Sequence, residues 1–141
     1  MSIVETLHYP VLCLSRDTSI SVRPDAGTLC RCNAKAFWGN RYFDGLLVFD
    51  SAARRYRVTD ASPAEPVSAV RQGLMHLLNQ TVPVRLGMEE IGPPSLEQVK
   101  EHVLEWIERD PGFWEAGAEL AELKGRIARA SGVPQLAAIL G

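Results

Sequence analysis

The sequence is short of several things, and each shortage excludes a class of protein. Cysteine occurs only as Cys13, Cys30 and Cys32, with no paired framework. A disulfide-built fold is therefore not expected, and a reducing cytoplasm is the expected location. No apolar run approaches the roughly 20 residues that a membrane helix needs, so no membrane association is expected. The start, Met1-Ser2-Ile3-Val4-Glu5, has neither a basic segment nor a long apolar core, and no signal peptide is expected. Positive charge is not in excess: the net charge is −2. Nucleic-acid binding, which rests on neutralising phosphates, is thus not expected. Lysine is scarce, 3 residues against 12 arginines, and alanine is frequent, which points to a GC-rich, bacterial source.

Catalytic signatures are missing as well. There is no pair of histidines four apart around a glutamate, no glycine-rich phosphate loop and no Gly-x-Ser-x-Gly turn. His102 stands three residues before Glu105, a spacing common on helices, and gives no basis for naming a catalytic pair. No cofactor and no metal are expected, and the balance leans away from an enzyme.

What is present points first to architecture. At 141 residues the chain fits one domain with a real core, residues 1–61 mainly β and 62–141 mainly α. The organising stretch is Phe37 to Asp60. Leu46, Leu47, Val48 and Phe49 put apolar side chains on both faces of a strand, which predicts a central strand covered on both sides. Asp50-Ser51-Ala52-Ala53 suits a type I turn. The return strand alternates, with Tyr56 and Val58 inward and Arg55, Arg57 and Thr59 outward.

Ahead of this hairpin, Ile3 to His8 and Val11 to Ser15 read as strands. Thr18 to Arg23 and Thr28 to Cys32 read as partners joined by a Pro24–Gly27 turn. Asn33 to Asp44 fits either a short helix from Ala34 to Trp38 or an irregular loop. After the hairpin, Ser62-Pro63-Ala64-Glu65 has the form of a capping box, with Pro66 as the other possible helix start. Val67, Val70, Leu74, Leu77 and Leu78 then mark one apolar stripe at helical spacing. Residues 81–88 alternate like a strand, and Pro83, which cannot donate to a ladder, predicts a sheet edge.

Ser95 caps a helix to about Arg109, with Leu96, Val99, Val103, Trp106 and Ile107 as its core face. Asp110-Pro111 opens a further helical stretch toward Arg129, weakened in its middle by Gly117. Pro134 to Leu140 forms a last short helix. Strands followed by helices mean an α+β fold. An N-terminal antiparallel sheet of about five to seven strands, one an edge strand near 81–88, carries three to four C-terminal helices.

Two surfaces are candidates for binding. The 35–43 segment interleaves rings and positive charge, and Trp38, Asn40, Arg41 and Tyr42 could wall a pocket for an anionic or aromatic ligand. The bland alternative is a hydrophobic plug with Arg41 reaching to water. The second surface is the acidic ridge Glu97, Glu101, Glu105 and Glu108, spaced to lie along one helix face and suited to a basic partner. Its bland alternative is a solvated face. Cys30 and Cys32 could supply half of a zinc site, but no second pair completes it, and packed thiols are the expectation.

The leading functional expectation is a small non-enzymatic protein, of accessory or immunity type, that recognises another protein through the acidic face. The alternative is a small-molecule binding domain or weak enzyme using the 35–43 segment. Homodimerisation through the 81–88 edge is a further expectation.

Overall fold

Both faces of the Leu46–Phe49 segment are covered, as its unbroken apolar run predicts. The structure, a computed structural model, describes residues 2–116 and 119–141. In chain order its first half holds α1 (Ile3–Thr6), β1 (Val11–Leu14), β2 (Ile20–Arg23), α2 (Ala26–Leu29), β3 (Arg31–Asn33) and a π-helical turn (Lys35–Gly39). Then follow β4 (Leu47–Phe49), β5 (Arg55–Pro63), α3 (Ala69–Leu77) and β6 (Thr81–Glu90). The chain ends in α4 (Leu96–Arg109), α5 (Pro111–Glu115), α6 (Leu120–Arg129) and α7 (Val133–Leu140). The six strands form one antiparallel sheet in the order β2-β1-β4-β5-β6-β3, and the fold is α+β.

The period-2 geometry of strands separates two cores. Val11 and Cys13 of β1, Val48 of β4, Tyr56 and Val58 of β5 and the even residues Val82 to Met88 of β6 face one side. Leu12, Leu14 and Phe49 face the other, where α4, α6 and α7 cover them with Val99, Val103, Ile107, Ile127 and Leu136. The outer face of β5 and β6 is left wet, and Arg57 there pairs with Glu89 directly opposite, at 3.7 Å.

The sheet is curled around its inner core. β2 and β3 stand at opposite ends of the strand order, yet only residues 24–30 join them in sequence. The expected hairpin between Thr18–Arg23 and Thr28–Cys32 therefore does not form. Asp25 accepts from the Thr28 N–H at 2.7 Å and caps α2 instead, and the strand after it pairs with β6.

Other expectations change too. Ile3–His8 is not a strand: Ile3–Thr6 makes one helical turn, which drops Val4 and Leu7 into the inner core. Arg55 is not on the wet face. It is buried beneath the connector after β6, where its guanidinium donates to the Pro93 carbonyl at 3.2 Å. β5 continues through Ser62-Pro63, so the capping-box reading fails there, and Ser68 caps α3 instead.

The edge placement of residues 81–88 holds only in part. β6 is interior in the strand order, but β3 covers just Thr81–Pro83, and the pairing of residues 84–90 is with β5. Pro83 is tolerated because the β5 ladder ends at the Pro63–Val84 pair, one position before it.

Among the described residues four helices follow β6, α4 to α7. Ser95 caps α4 by accepting from the Gln98 N–H at 3.2 Å. The stretch from Pro111 to Arg129 is two helices, α5 and α6, rather than one; Gly117 lies outside the described residues. No helix among the described residues is long and apolar enough to cross a membrane.

Candidate functional site

The 35–43 segment is built around hydrogen bonds that its neighbours supply. The Asn33 side chain accepts from the Ala36 N–H at 2.8 Å, and the Asn79 side chain accepts from the Lys35 N–H at 3.1 Å. Between them they fix a π-helical turn, a wide geometry that recurs at functional sites. Arg41 leaves the turn in the left-handed region, at φ +50°.

The rings interlock. Phe43 is buried in the inner core, with Phe37 edge-on to it at 6.1 Å and Tyr42 edge-on at 5.1 Å. Trp38 meets Phe37 edge-on at 5.3 Å. They nevertheless border open hollows on two sides. Trp38 and Arg41 line one, of about 500 Å³, together with Phe37, Asp44, Ser62 and Gln72. Asn40 and Tyr42 line another, of about 570 Å³, with Ser15, Arg16 and Asp17. The four sequence-predicted ligand residues are thus divided between two hollows.

Tyr42 also reaches the gap between β2 and β3. Its hydroxyl lies 3.0 Å from the Ser21 hydroxyl and accepts from Arg23 at 3.3 Å. Burial raises the Tyr42 pKa in spite of these partners. Burial works against the charge of Arg23, but the Tyr42 hydroxyl beside it outweighs this and holds its pKa above the usual value.

The acidic ridge is where the helical spacing predicts. Glu97, Glu101, Glu105 and Glu108 are all exposed on the side of α4 away from Val99, Val103 and Ile107. Two of the four are engaged: Glu105 with Arg109 at 2.6 Å and Glu108 with Lys124 at 3.0 Å. Among the described residues Glu97 and Glu101 have no ion-pair partner. Lys100 turns inward, donating to the Ala128 carbonyl at 2.9 Å near the end of α6.

Burial raises the thiol pKa of all three cysteines, Cys13 to about 12. Such thiols are poor nucleophiles and poor metal ligands. Among the described residues no group of three or more His, Cys, Asp or Glu is placed to hold a metal ion.

The apolar stripe that helical spacing marks here lies mostly in the open: Val70 is 84% exposed, Leu74 53%, Leu77 74% and Leu78 58%, while Val67 packs against the inner core. Met75 is the one buried residue of α3 and faces the inner core. It lies about a third of a turn round the helix from the stripe. Val70, Leu74 and Leu77 follow the 4–3 spacing of a helix-packing seam. Gly73 lies within that stretch, and a Cβ added there would meet nothing within 4 Å. The faint signal in the sequence is the weak polar face: Arg71 is the only formally charged residue from Ala69 to Leu77.

Comparison with protein-family models, curated proteins and solved structures gave no match.

Proposed function

We propose that this is a non-enzymatic protein-binding module whose contact surface is α3. The observation that carries this reading is the exposed Val70-Leu74-Leu77-Leu78 stripe. Four adjacent side chains of this size make a patch of a few hundred Å², the scale that marks interaction sites on soluble proteins. Each would gain roughly 1.5–3 kcal/mol from full burial, and the chain itself does not bury them.

The occupant is an amphipathic helix of another protein. The 4–3 spacing of the stripe accepts a facing helix, and Gly73 lets its backbone approach closely. Arg71, at the border of the stripe, favours a carboxylate on the flank of the incoming helix. A second copy of this chain suits the patch less well, because its own α3 would offer no acidic residue to Arg71.

The ridge at Glu97 and Glu101 is a separate surface that can raise the association rate with a basic region of the same partner.

Sedimentation velocity tests the choice of occupant. The expected result is a monomer across the micromolar range. A dimer that Leu74→Asp converts to monomer would make the second copy the occupant and overturn the proposal.

A further inference from the structure

The hollow at Asn40 and Tyr42 borders a gap in the sheet that the α3 reading does not use. β2 and β3 face each other across it without pairing. Most of the side chains there are basic or polar: Arg23, Arg31, Asn33, Tyr42 and Thr81, with Cys32 and Ala36, line a cavity of about 380 Å³. No carboxylate lines it among the described residues.

Among the described residues neither arginine has an ion-pair partner within 4 Å. Arg23 spends its terminal nitrogens on the Thr28 carbonyl at 3.2 Å and on the Tyr42 hydroxyl. Its Nε is buried with no acceptor. Arg31 is anchored by its Nε to the Gly27 carbonyl at 2.8 Å, which leaves its terminal nitrogens without an acceptor. The nearest acids are already engaged. Asp25 accepts from the Thr28 N–H and hydroxyl, and Asp17 accepts from Ser15 and from the Ser19 N–H.

Two guanidinium groups held by backbone carbonyls line the cavity with hydroxyl and amide donors beside them. Asp25 acts on Arg31 from outside the lining, but no carboxylate within the lining faces either group, an arrangement suited to a dianion. We propose that the β2–β3 gap binds a phosphate monoester. Its phosphate would sit between Arg23 and Arg31, with its organic part in the contiguous hollow along Tyr42 and Asn40. The same Tyr42 and Ala36 border both cavities, which sets the two side by side. This site is independent of α3.

The test uses the full chain, phenyl phosphate as probe and sodium chloride at matched ionic strength as control. At pH 7.5, with the probe at about ten times its Kd, Tm is expected to rise by about 3 °C over chloride. Arg31 is exposed, so Arg31→Gln should fold normally and lose most of that rise. Arg41→Gln, which alters the opposite hollow, should keep it. At pH 5, where the monoester is a monoanion, the rise should shrink severalfold in wild type. Absence of any shift over chloride in wild type, or a full shift in Arg31→Gln, would overturn the proposal.

Discussion

The indole N–H of Trp106 on α4 donates to the carbonyl of Ser15, 2.6 Å away and 91 residues earlier in the chain. That bond joins the outer helical layer to the end of β1. The same ring carries Arg109 over its face, 4.3 Å from the centroid. Trp106→Phe keeps most of the apolar area and removes one of the two donors to the Ser15 carbonyl, the Thr18 N–H at 3.1 Å remaining. A loss of about 0.5–1.5 kcal/mol is expected, read as a lower urea midpoint at unchanged m-value.

The α3 stripe makes the opposite kind of prediction. A core leucine truncated to alanine costs about 2–5 kcal/mol, and Leu136→Ala, at a fully buried position of α7, should fall in that range. Leu77→Ala should stay within about 0.5 kcal/mol of wild type, because its side chain is mostly in water already. Comparable losses in the two variants would place α3 in a core.

Gly73→Ala should raise stability by about 0.5–1 kcal/mol, since alanine suits a helix interior and its methyl enters open space. The same methyl should weaken partner binding, by thickening the face that the incoming helix approaches. Denaturation and binding measured on one preparation check both signs.

Gly92 is held by the burial of Arg55. It has φ +73°, and a Cβ there would lie 2.5 Å from the Arg55 guanidinium. Gly92→Ala should cost at least about 1 kcal/mol, while the same change at exposed Gly112, where a Cβ meets nothing, should not destabilise.

Stability should fall on the alkaline side. The folded state holds the Cys13 proton to about pH 12, above the ordinary thiol value of 9.0, so the contribution is complete below pH 9. It is lost as pH rises from there toward 12, because the unfolded thiol ionises first. Tyr9, Tyr42 and Tyr56 are shifted the same way by burial and add their losses above their ordinary value of 10.0. Cys13→Ala should therefore lessen the fall in stability between pH 9 and 10, before the tyrosines contribute, and leave the part due to Cys30 and Cys32, whose thiols burial also raises.

Much of this fold was legible where a local pattern had one physical solution. The run Leu46 to Phe49 could only be a doubly covered strand, and β4 has β1 and β5 on its flanks and a core on each face. Ser95 with Gln98, and the four-residue spacing of α4, left little freedom either. The misreadings arose where two local patterns competed. Thr28–Cys32 alternates well enough for a hairpin, but Asp25 captures the Thr28 N–H and starts a helical turn instead. Pro83 forbids one donor, not a whole flank, so only sheet order could show which side it spares.

The candidate sites were harder still. Tyr42 and Arg41 were visible as a cluster, but their separation into two hollows depends on the direction the chain takes after a left-handed Arg41. Arg23 and Arg31 meet only because the sheet curls. A helical stripe carries no mark of whether it faces the chain's own core or the outside, so the spacing in α3 did not show that its stripe is exposed.

Site-specific photocrosslinking in the source cell tests the central claim most directly. A photoreactive phenylalanine analogue at Leu77, with the same analogue at exposed Arg126 as control, reports what touches α3. The account predicts a crosslink from position 77 into an amphipathic helix of one other protein, absent at 126. Crosslinks from 77 only into another copy of this chain, or none above the 126 control, would contradict it.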